Sequence, residues 1–258
     1  MLFKRKRSLR HRKIGYSLLS GKGLEIGALH EKASLPSKCN VDYCDAISRE
    51  EAMKLFPEIK HHKLVDVKYI CNLDEQGLNI FPDNTYDFVL LSHVIEHVAN
   101  PINVIKELFR VVKPGGLVLI TVPDKNYTFD KKRDITPFEH LVEEYRSGVK
   151  EVTDEHYIDF IKGVLPDLMK LEGEKFKEAV LNIKNRREHA HVWTSESFKD
   201  FLQLTFKELN ISPTLVLEND AENNLFEYYS LWQKNDGKTH LPVPKLTPFN
   251  KFRLAIGI

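Results

Sequence analysis

The stretch that decides the fold is residues 86–123, YDFVLLSHVIEHVANPINVIKELFRVVKPGGLVLITVP. The run 87–91 predicts a strand that is buried on both faces. Asn100 and Pro101 predict the N-cap and first residue of a helix, which the following KPGG ends. A further apolar run, 117–122, predicts the next strand. Strands that alternate with helices are typical of a parallel sheet in an α/β fold.

Polar residues stand where the first of these strands ends. Ser92 and His93 follow the apolar run directly, and Glu96 and His97 come a few residues later. In open α/β sheets, ligands bind beyond the carboxyl ends of the strands. We therefore expect these four side chains on the rim of the sheet where the chemistry takes place.

A second pattern lies upstream, in GLEIGA at residues 23–28. This predicted strand carries Glu25 and closes on Gly27 and Ala28, and Asp45 ends the next strand-like run. An acidic side chain at that place accepts hydrogen bonds from ribose hydroxyls, while glycine lets the backbone approach the ligand. The same spacing is common in α/β proteins without a cofactor. The loop lacks the further glycines that seat a pyrophosphate, which argues against NAD.

The strings DFVLLSHVIEHV and FRVVKPGGLVLITVP resemble the fourth and fifth strands of class I S-adenosylmethionine-dependent methyltransferases of the type 11 group. The resemblance implies a Rossmann-like, doubly wound α/β fold. Its sheet would have seven mostly parallel strands, an antiparallel last strand and a helical insertion after the fifth strand. The resemblance also implies S-adenosylmethionine as the cofactor, contacted by Glu25, Gly27, Ala28, Asp45, Ser92 and His93.

Seven segments are candidate strands: 24–28, 40–44, 64–69, 88–91, 117–122, 211–217 and 225–232. The first five alternate with helical patterns, which predicts parallel pairing. The polar turn 218–224 joins the last two and predicts a hairpin, so one strand is expected to enter the sheet antiparallel.

With 258 residues and 42% hydrophobic content, the chain favours one domain with an insertion over two domains. We assign the domain to residues 1–235, with a basic arm at 1–20, a helical substrate lid at 123–191 and an extended tail at 236–258. Three cysteines cannot all pair, and no apolar run is long enough to span a membrane. These features favour a cytoplasmic protein.

The N-terminal arm is strongly basic. Seven basic residues lie between Lys4 and Lys13, whereas the whole chain has a formal net charge of +1, so the rest of the chain is acidic. An enzyme acting on nucleic acid usually spreads positive charge over its binding face, so we expect no nucleic-acid partner. The arm suits contact with a membrane surface or an anionic substrate, or it is a solvated leader.

The insertion opens with TFDKKRDITPFEH, residues 128–140. Thr136 is the predicted cap of a helix, and Asp130 and Arg133 are predicted to contact an acceptor. The string resembles bacterial methyltransferases of surface-polysaccharide and other glycan pathways. That resemblance implies O-methylation of a sugar or glycan-linked acceptor. The alternatives are a small-metabolite or lipid acceptor, and a catalytically silent binding protein.

His140 and His97 are the predicted catalytic residues. Methyl transfer from a sulfonium needs an aligned acceptor and removal of a proton, and histidine is a suitable base near neutral pH. His140 lies in the first turn of its predicted helix, where the helix dipole favours the neutral imidazole. Four further histidines are candidate bases, each of which could instead be structural: His93, His156, His189 and His191.

The segment HVIEH, residues 93–97, permits two metal hypotheses. It fits the H-x-x-E-H pattern of inverted zinc peptidases, which requires both histidines on one helical face. It also resembles the Glu-x-x-Glu-His metal motif of small-RNA 2′-O-methyltransferases, with His93 in place of the first Glu. The second resemblance implies a divalent ion held by Glu96 and His97. Because many methyltransferases carry Glu-His here without a metal, a metal-free site is the third possibility.

Overall fold

The computed structural model describes residues 9–59 and 61–235. Its strands are β1 (Gly21–Ile26), β2 (Cys39–Asp45), β3 (Tyr69–Ile70), β4 (Tyr86–Ser92), β5 (Val112–Pro123), β6 (Thr214–Asn219) and β7 (Glu227–Gln233). They form one sheet in the order β3-β2-β1-β4-β5-β7-β6. The α-helices are α1 (Arg10–Tyr16), α2 (Arg49–Leu55), α3 (Pro101–Val111), α4 (Phe138–Ser147), α5 (Asp154–Val164), α6 (Gly173–Asn185), α7 (Ser195–Glu208) and α8 (Ala221–Asn224). The predicted Rossmann-like, doubly wound fold is confirmed.

The first five strands run parallel, as predicted. In β4 the side chains alternate between two cores. Val89 and Leu91 belong to the core that includes residues of α3 and α7, whereas Phe88 and Leu90 belong to the core that includes residues of α1. Helices therefore cover both faces of this strand, which explains its continuous apolar run.

The third strand differs from its prediction. The expected strand 64–69 is wrong, because only Tyr69 and Ile70 pair with β2. Leu64 instead packs in a small buried cluster with Ala52 of α2. Leu64 is therefore a buried residue of the connection between α2 and β3 and is not part of a strand.

The last two strands confirm the predicted hairpin. β7 lies between β5 and β6 and runs antiparallel to both. The short helix α8 occupies the polar turn between β6 and β7. Residues at the start of β7 are thereby brought beside the carboxyl end of β5, since Glu227 pairs with Pro123.

The basic arm is folded where the structure describes it. Helix α1 packs on the sheet, and both His11 and Arg12 bind the buried carboxylate of Glu227. Arg12 is therefore part of the fold and is not available to a membrane surface. The basic run 4–7 and the predicted tail 236–258 lie outside the described residues.

Three helices, α4 to α6, form between β5 and α7, where the sequence predicts helical patterns. The cap of α4 differs from its prediction, because the N-cap residue is Pro137 and no side chain caps the helix. The Thr136 hydroxyl instead accepts a hydrogen bond from the N–H of Val192 at 2.9 Å, and the Thr136 N–H donates to the Val192 carbonyl at 2.9 Å. The start of α4 is thus tied to the segment that leads into α7.

Candidate functional site

A cavity of about 300 Å³ lies at the carboxyl ends of β1 and β2. Asp45, the last residue of β2, lines it together with Ile47, Leu73 and His97. Burial raises the pKa of Asp45, although backbone N–H groups of Ile47 and Ala46 partly oppose that rise. Apolar side chains suit the flat base of a nucleoside, and the Asp45 carboxylate suits its ribose.

A second cavity of about 300 Å³ is lined by Glu25, Gly27, Ala28, Ser92 and His93. Gly27 also lines the first cavity, so the two adjoin at this glycine. The structure therefore places the six predicted cofactor residues around two adjoining spaces at the expected edge of the sheet.

Glu25 and Gly27 shape the point where the cavities meet. Glu25 is buried, and its Oε1 accepts a hydrogen bond from the N–H of Ala33 at 2.7 Å. Burial raises the pKa of Glu25 to about 7, against the opposing effect of that hydrogen bond. Gly27 has φ +71°, and a Cβ there would stand 2.5 Å from Cγ2 of Val94. Only glycine fits this backbone and this close approach without strain.

His93 is held by a carboxylate that sequence reasoning missed. Its Nε2 lies 2.6 Å from Oε2 of Glu227, and its ring stacks on Phe226 with 4.7 Å between centroids. Glu227 is fully buried. Burial alone would raise its pKa, but hydrogen bonds from Arg12, His11 and His93 hold that pKa well below its usual range. Nothing in the sequence near position 93 points to this partner, because β7 brings it from the far end of the domain.

The carboxylate of Glu96 is the centre of a histidine cluster. Glu96 is 1% exposed, and neither of its oxygens has a hydrogen-bond partner among the described residues. Three ring nitrogens face its Oε1: Nδ1 of His93 at 3.7 Å, Nε2 of His97 at 3.7 Å and Nε2 of His189 at 3.9 Å. The ligand atoms of Glu96, His97 and His189 all lie within 4.8 Å of one another, and we refer to these three residues as the Glu96 cluster.

Hydrogen bonds outside the Glu96 cluster orient its histidines. The Nδ1–H of His97 donates to the Arg187 carbonyl at 2.6 Å, and the Nδ1–H of His189 donates to Asp130 at 2.6 Å. Both Nε2 atoms are thereby directed to Glu96, as in metal sites with oriented imidazoles. Burial lowers the pKa of His97 to about 4. Burial also disfavours charge on His189, but Asp130 and Glu96 outweigh it and raise the His189 pKa.

The predicted contact of Asp130 and Arg133 with an acceptor is wrong. Each residue is 2% exposed, so neither side chain is open to a ligand. Arg133 donates hydrogen bonds to Asp130 and Asp159 and to the carbonyls of His189 and Ala190. Asp130 and Arg133 instead hold His189 in place, Asp130 through its ring and Arg133 through its backbone carbonyl.

The zinc-peptidase hypothesis is also wrong. That motif needs both histidines one turn apart on an α-helix, but Ile95–His97 is a 3-10 helix of only three residues. His93 lies before it in the left-handed region, with φ 53°. The two histidines therefore do not share a helical face.

His140 lies in the first turn of α4, as predicted, but it is not among the residues that line the two cavities. Its Nε2 is 3.1 Å from Oε1 of Glu144 and 3.0 Å from Nε2 of His156. His191 faces the same carboxylate. Three of the predicted candidate bases are thus drawn together around Glu144, and the assignment of His140 as the base stays a prediction.

A family model described as a methyltransferase domain matches residues 20–205, which is more than half of the chain. The chain belongs to this methyltransferase family. The matched range begins just before β1 and ends within α7, so it includes the residues that line the first cavity, most of those that line the second, and the Glu96 cluster.

Curated relatives resemble parts of the methyltransferase. A demethylmenaquinone methyltransferase of a Geobacillus species is 41% identical over 63 residues, which are 24% of this chain and 26% of the relative. The mitochondrial ubiquinone biosynthesis O-methyltransferase of Dictyostelium discoideum is 31% identical over 111 residues, which are 41% of this chain and 35% of the relative. The matches therefore span about a quarter to a third of the length of these relatives.

One solved structure supports the fold alone. It is titled as a putative zinc-dependent alcohol dehydrogenase of Rhodobacter sphaeroides and superposes with a TM-score of 0.51 at 14% identity. The alignment covers 89% of this chain and 91% of that one. Among the described residues of the methyltransferase, no helix has the length and apolar character needed to cross a membrane.

The residues of the methyltransferase fit S-adenosylmethionine. Asp45 offers its carboxylate at the end of β2, where ribose hydroxyls are bound in such folds. Glu25 has one buried oxygen, Oε2, without a hydrogen-bond partner among the described residues, so this side of the site retains an acceptor for a donor group. The missing glycines of a pyrophosphate loop are not needed for a sulfonium cofactor.

Proposed function

We propose that this S-adenosylmethionine-dependent methyltransferase methylates a hydroxyl oxygen of a small ring-shaped acceptor, with a sugar or glycan-linked diol as the first candidate. The observation that carries the proposal is the Glu96 carboxylate, which is buried and unpaired while three imidazole nitrogens face it. A buried carboxylate that accepts no hydrogen bond is unfavourable, and the facing imidazole nitrogens are metal-ligand atoms, so this arrangement favours a bound cation.

The Glu96 cluster would hold a divalent metal ion. Two imidazole nitrogens and one carboxylate oxygen are a ligand set used for zinc and other first-row metals, with positions left for an acceptor. Such an ion supplies Lewis-acid chemistry and lowers the pKa of a hydroxyl bound beside it. A vicinal diol offers two oxygens to one ion, which is why a sugar is the first candidate.

Residues of the protein itself would position the methyl donor and the acceptor. His97 lines the predicted cofactor cavity and belongs to the Glu96 cluster, so it joins the two spaces where donor and acceptor would meet. The acceptor oxygen attacks the methyl carbon as the carbon–sulfur bond breaks, S-adenosylhomocysteine leaves, and the acceptor proton passes to solvent water. At pH 7 His97 is neutral, because burial lowers its pKa to about 4. Its Nε2 lone pair is therefore free to bind a cation in the Glu96 cluster.

An exposed aromatic ring lies beside the cluster. Phe129 is 52% exposed, and its ring centroid is 4.7 Å from that of His189. An aromatic face next to a metal site can stack against the apolar face of a sugar or against an aromatic ring. We therefore include Phe129 in the proposed acceptor site.

A quinol or lipid-like acceptor is the second candidate. It is favoured by the relatives whose names contain demethylmenaquinone and ubiquinone biosynthesis. An aromatic quinol ring would also stack on Phe129 and would offer a hydroxyl to the same site. The two candidates therefore share the site and differ in the acceptor.

The test is methyl transfer measured by mass spectrometry with two acceptor panels, monosaccharide glycosides and quinols, before and after exhaustive chelation. We expect transfer to a glycoside that chelation abolishes, while S-adenosylhomocysteine binding by calorimetry stays within about twofold. Glu96→Gln should reproduce the effect of chelation, whereas His61→Ala, at an exposed position, should not. Full activity after chelation would remove the metal from the proposal, and transfer only to quinols would replace the sugar.

A further inference from the structure

A second cluster of metal-ligand side chains lies within the helical segment after β5. It consists of His140 and Glu144 of α4, His156 of α5 and His191 before α7, and we refer to these four residues as the Glu144 cluster. One ligand atom from each residue lies within 4.8 Å of all the others. Glu144 follows His140 by four residues, so one face of α4 presents both side chains.

The spacing within the Glu144 cluster is that of atoms around one small cation. Oε1 of Glu144 is 3.1 Å from Nε2 of His140 and 3.2 Å from Nε2 of His156, and its Oε2 is 3.7 Å from Nε2 of His191. Four ligands placed tetrahedrally at the usual zinc distances of about 2.0–2.1 Å are roughly 3.3 Å apart. The three separations among Oε1 of Glu144, Nε2 of His140 and Nε2 of His156, which are 3.0–3.2 Å, are close to that value.

His191 gives the independent evidence that a ligand belongs here. Its side chain is fully buried, and its Nε2, aimed at the cluster, has no hydrogen-bond partner among the described residues. Oε2 of Glu144 is also buried without a partner. Burying a polar atom without a hydrogen-bond partner is unfavourable, so a bare cluster would be destabilising.

Hydrogen bonding alone does not account for the Glu144 cluster. If both His140 and His156 donate Nε2–H to Glu144, two donors stand 3.0 Å apart; if one ring donates to the other, the acceptor ring turns its Nε2 lone pair toward Oε1 of Glu144 at 3.1–3.2 Å. The 3.7 Å between His191 and Glu144 is too long for a hydrogen bond. A cation removes both difficulties, because each imidazole then directs a lone pair inward.

His156 also has the outer contact that a metal-bound imidazole needs. Its Nδ1 lies 3.2 Å from the hydroxyl of Thr153, the residue just before α5. A partner at Nδ1 fixes the ring and leaves Nε2 for the metal.

We propose that His140, Glu144, His156 and His191 form a structural zinc site, separate from the Glu96 cluster. Three histidines and one carboxylate fill a tetrahedral shell, so no position is left for a substrate, which distinguishes structural from catalytic zinc. The site joins α4, α5 and the segment before α7. The N–H of His191 donates to the Glu96 carbonyl at 3.0 Å, so the zinc also steadies the backbone that carries the proposed catalytic cluster.

The test measures zinc in the purified full-length protein after chelation and reloading, for the wild type and four variants. His140→Ala and Glu144→Gln should each lose one equivalent of zinc relative to the wild type. Glu143→Gln, at an exposed neighbouring position of α4, and Glu96→Gln should keep that equivalent. Because Glu96→Gln is scored separately, failure of the zinc site and failure of the proposed catalytic metal are distinguishable.

Two further readouts do not depend on activity. Cobalt reloaded into the Glu96→Gln protein should give the intense visible absorption of tetrahedral cobalt, and the His140→Ala change should abolish it. In the Glu96→Gln background, which lacks the proposed catalytic metal, zinc should raise the melting temperature of a protein that also carries Glu143→Gln, but not of one that also carries His140→Ala. The side chain of His140 is 42% exposed, so this variant is expected to fold. Unchanged zinc content in both His140→Ala and Glu144→Gln, or a Glu96→Gln protein that binds no zinc, would overturn the proposal.

Discussion

Asp130 accepts a hydrogen bond from Nδ1–H of His189 at 2.6 Å, and this contact directs Nε2 of His189 toward the buried carboxylate of Glu96. Asp130 is also bound to Arg133, so the carboxylate that orients the histidine is itself fixed. Carboxylate–histidine pairs of this kind set the tautomer and the direction of a metal-binding imidazole.

The first prediction concerns Asp130, whose negative charge orients His189. Asp130→Asn keeps the size of the side chain but weakens the orientation of the imidazole, so divalent-ion affinity should fall by about 10- to 100-fold. Titration calorimetry with Zn²⁺ or Mn²⁺ measures it. Asp159→Asn is the matched control, because Asp159 binds the same Arg133 and is not a partner of His189. Equal losses in both variants would mean that only Arg133 matters.

A second prediction concerns the ribose. Asp45→Ala should weaken S-adenosylmethionine binding by about 1.5–3 kcal/mol, roughly ten- to a hundredfold, because two ribose hydroxyls lose a charged acceptor. Calorimetry with S-adenosylhomocysteine provides the affinity, and Asp66→Ala at an exposed position serves as the control. An unchanged affinity would move the ribose contact elsewhere, and tighter binding of NAD would contradict the cofactor site.

The third prediction separates backbone strain from steric conflict. Gly27 and Gly148 both have positive φ, +71° and +64°, but a Cβ at Gly27 meets Val94 whereas a Cβ at Gly148 meets nothing within 4 Å. Gly148→Ala should cost only the left-handed backbone penalty of about 1–2 kcal/mol in the free energy of unfolding. Gly27→Ala should cost more and should also weaken cofactor binding. Equal losses in chemical denaturation would show that Val94 moves aside freely.

Acid stability should depend on Glu227. Its pKa is lowered in the folded protein, so its stabilising effect is complete above the unfolded value of about 4.3 and is lost as the pH falls below it. Glu227→Gln removes the shared partner of Arg12 and His93 and should cost about 3–5 kcal/mol at pH 7. The difference from the wild type should shrink as the pH falls from 5 toward 3. A constant difference over that range would contradict the assignment.

His140 carries two competing assignments. If His140 is the base, His140→Ala should lower turnover by about 10²–10⁴-fold. Its zinc content should be unchanged, and its S-adenosylmethionine affinity should stay within about twofold of the wild type. If His140 is a zinc ligand, His140→Ala should lose zinc and thermal stability together. Single-turnover methylation, measured beside zinc content and a melting curve, decides between these results.

Much of the fold follows from local pattern. The apolar run before Ser92 correctly predicts β4, and the cap at Asn100 correctly predicts the start of α3. The Asn100 side chain accepts a hydrogen bond from the N–H of Asn103. Both signals depend on neighbours in sequence. The expected strand 64–69 fails because an apolar residue such as Leu64 packs equally well in a connection. The Thr136 cap fails because its hydroxyl finds a partner, Val192, that is distant in sequence.

The sequence by itself determined the order of most strands and helices along the chain and the edge of the sheet where the two cavities lie, whereas the cofactor role of Glu25 and Asp45 stays a prediction. Periodicity, capping and strand ends are short-range properties, so they can be read along the chain. Only the tertiary structure decided which histidines meet which carboxylates. His189 joins Glu96, and His191 joins Glu144, because long-range packing of the helical segment against the sheet sets those distances. No spacing in the chain encodes a contact that forms only when separate elements pack together.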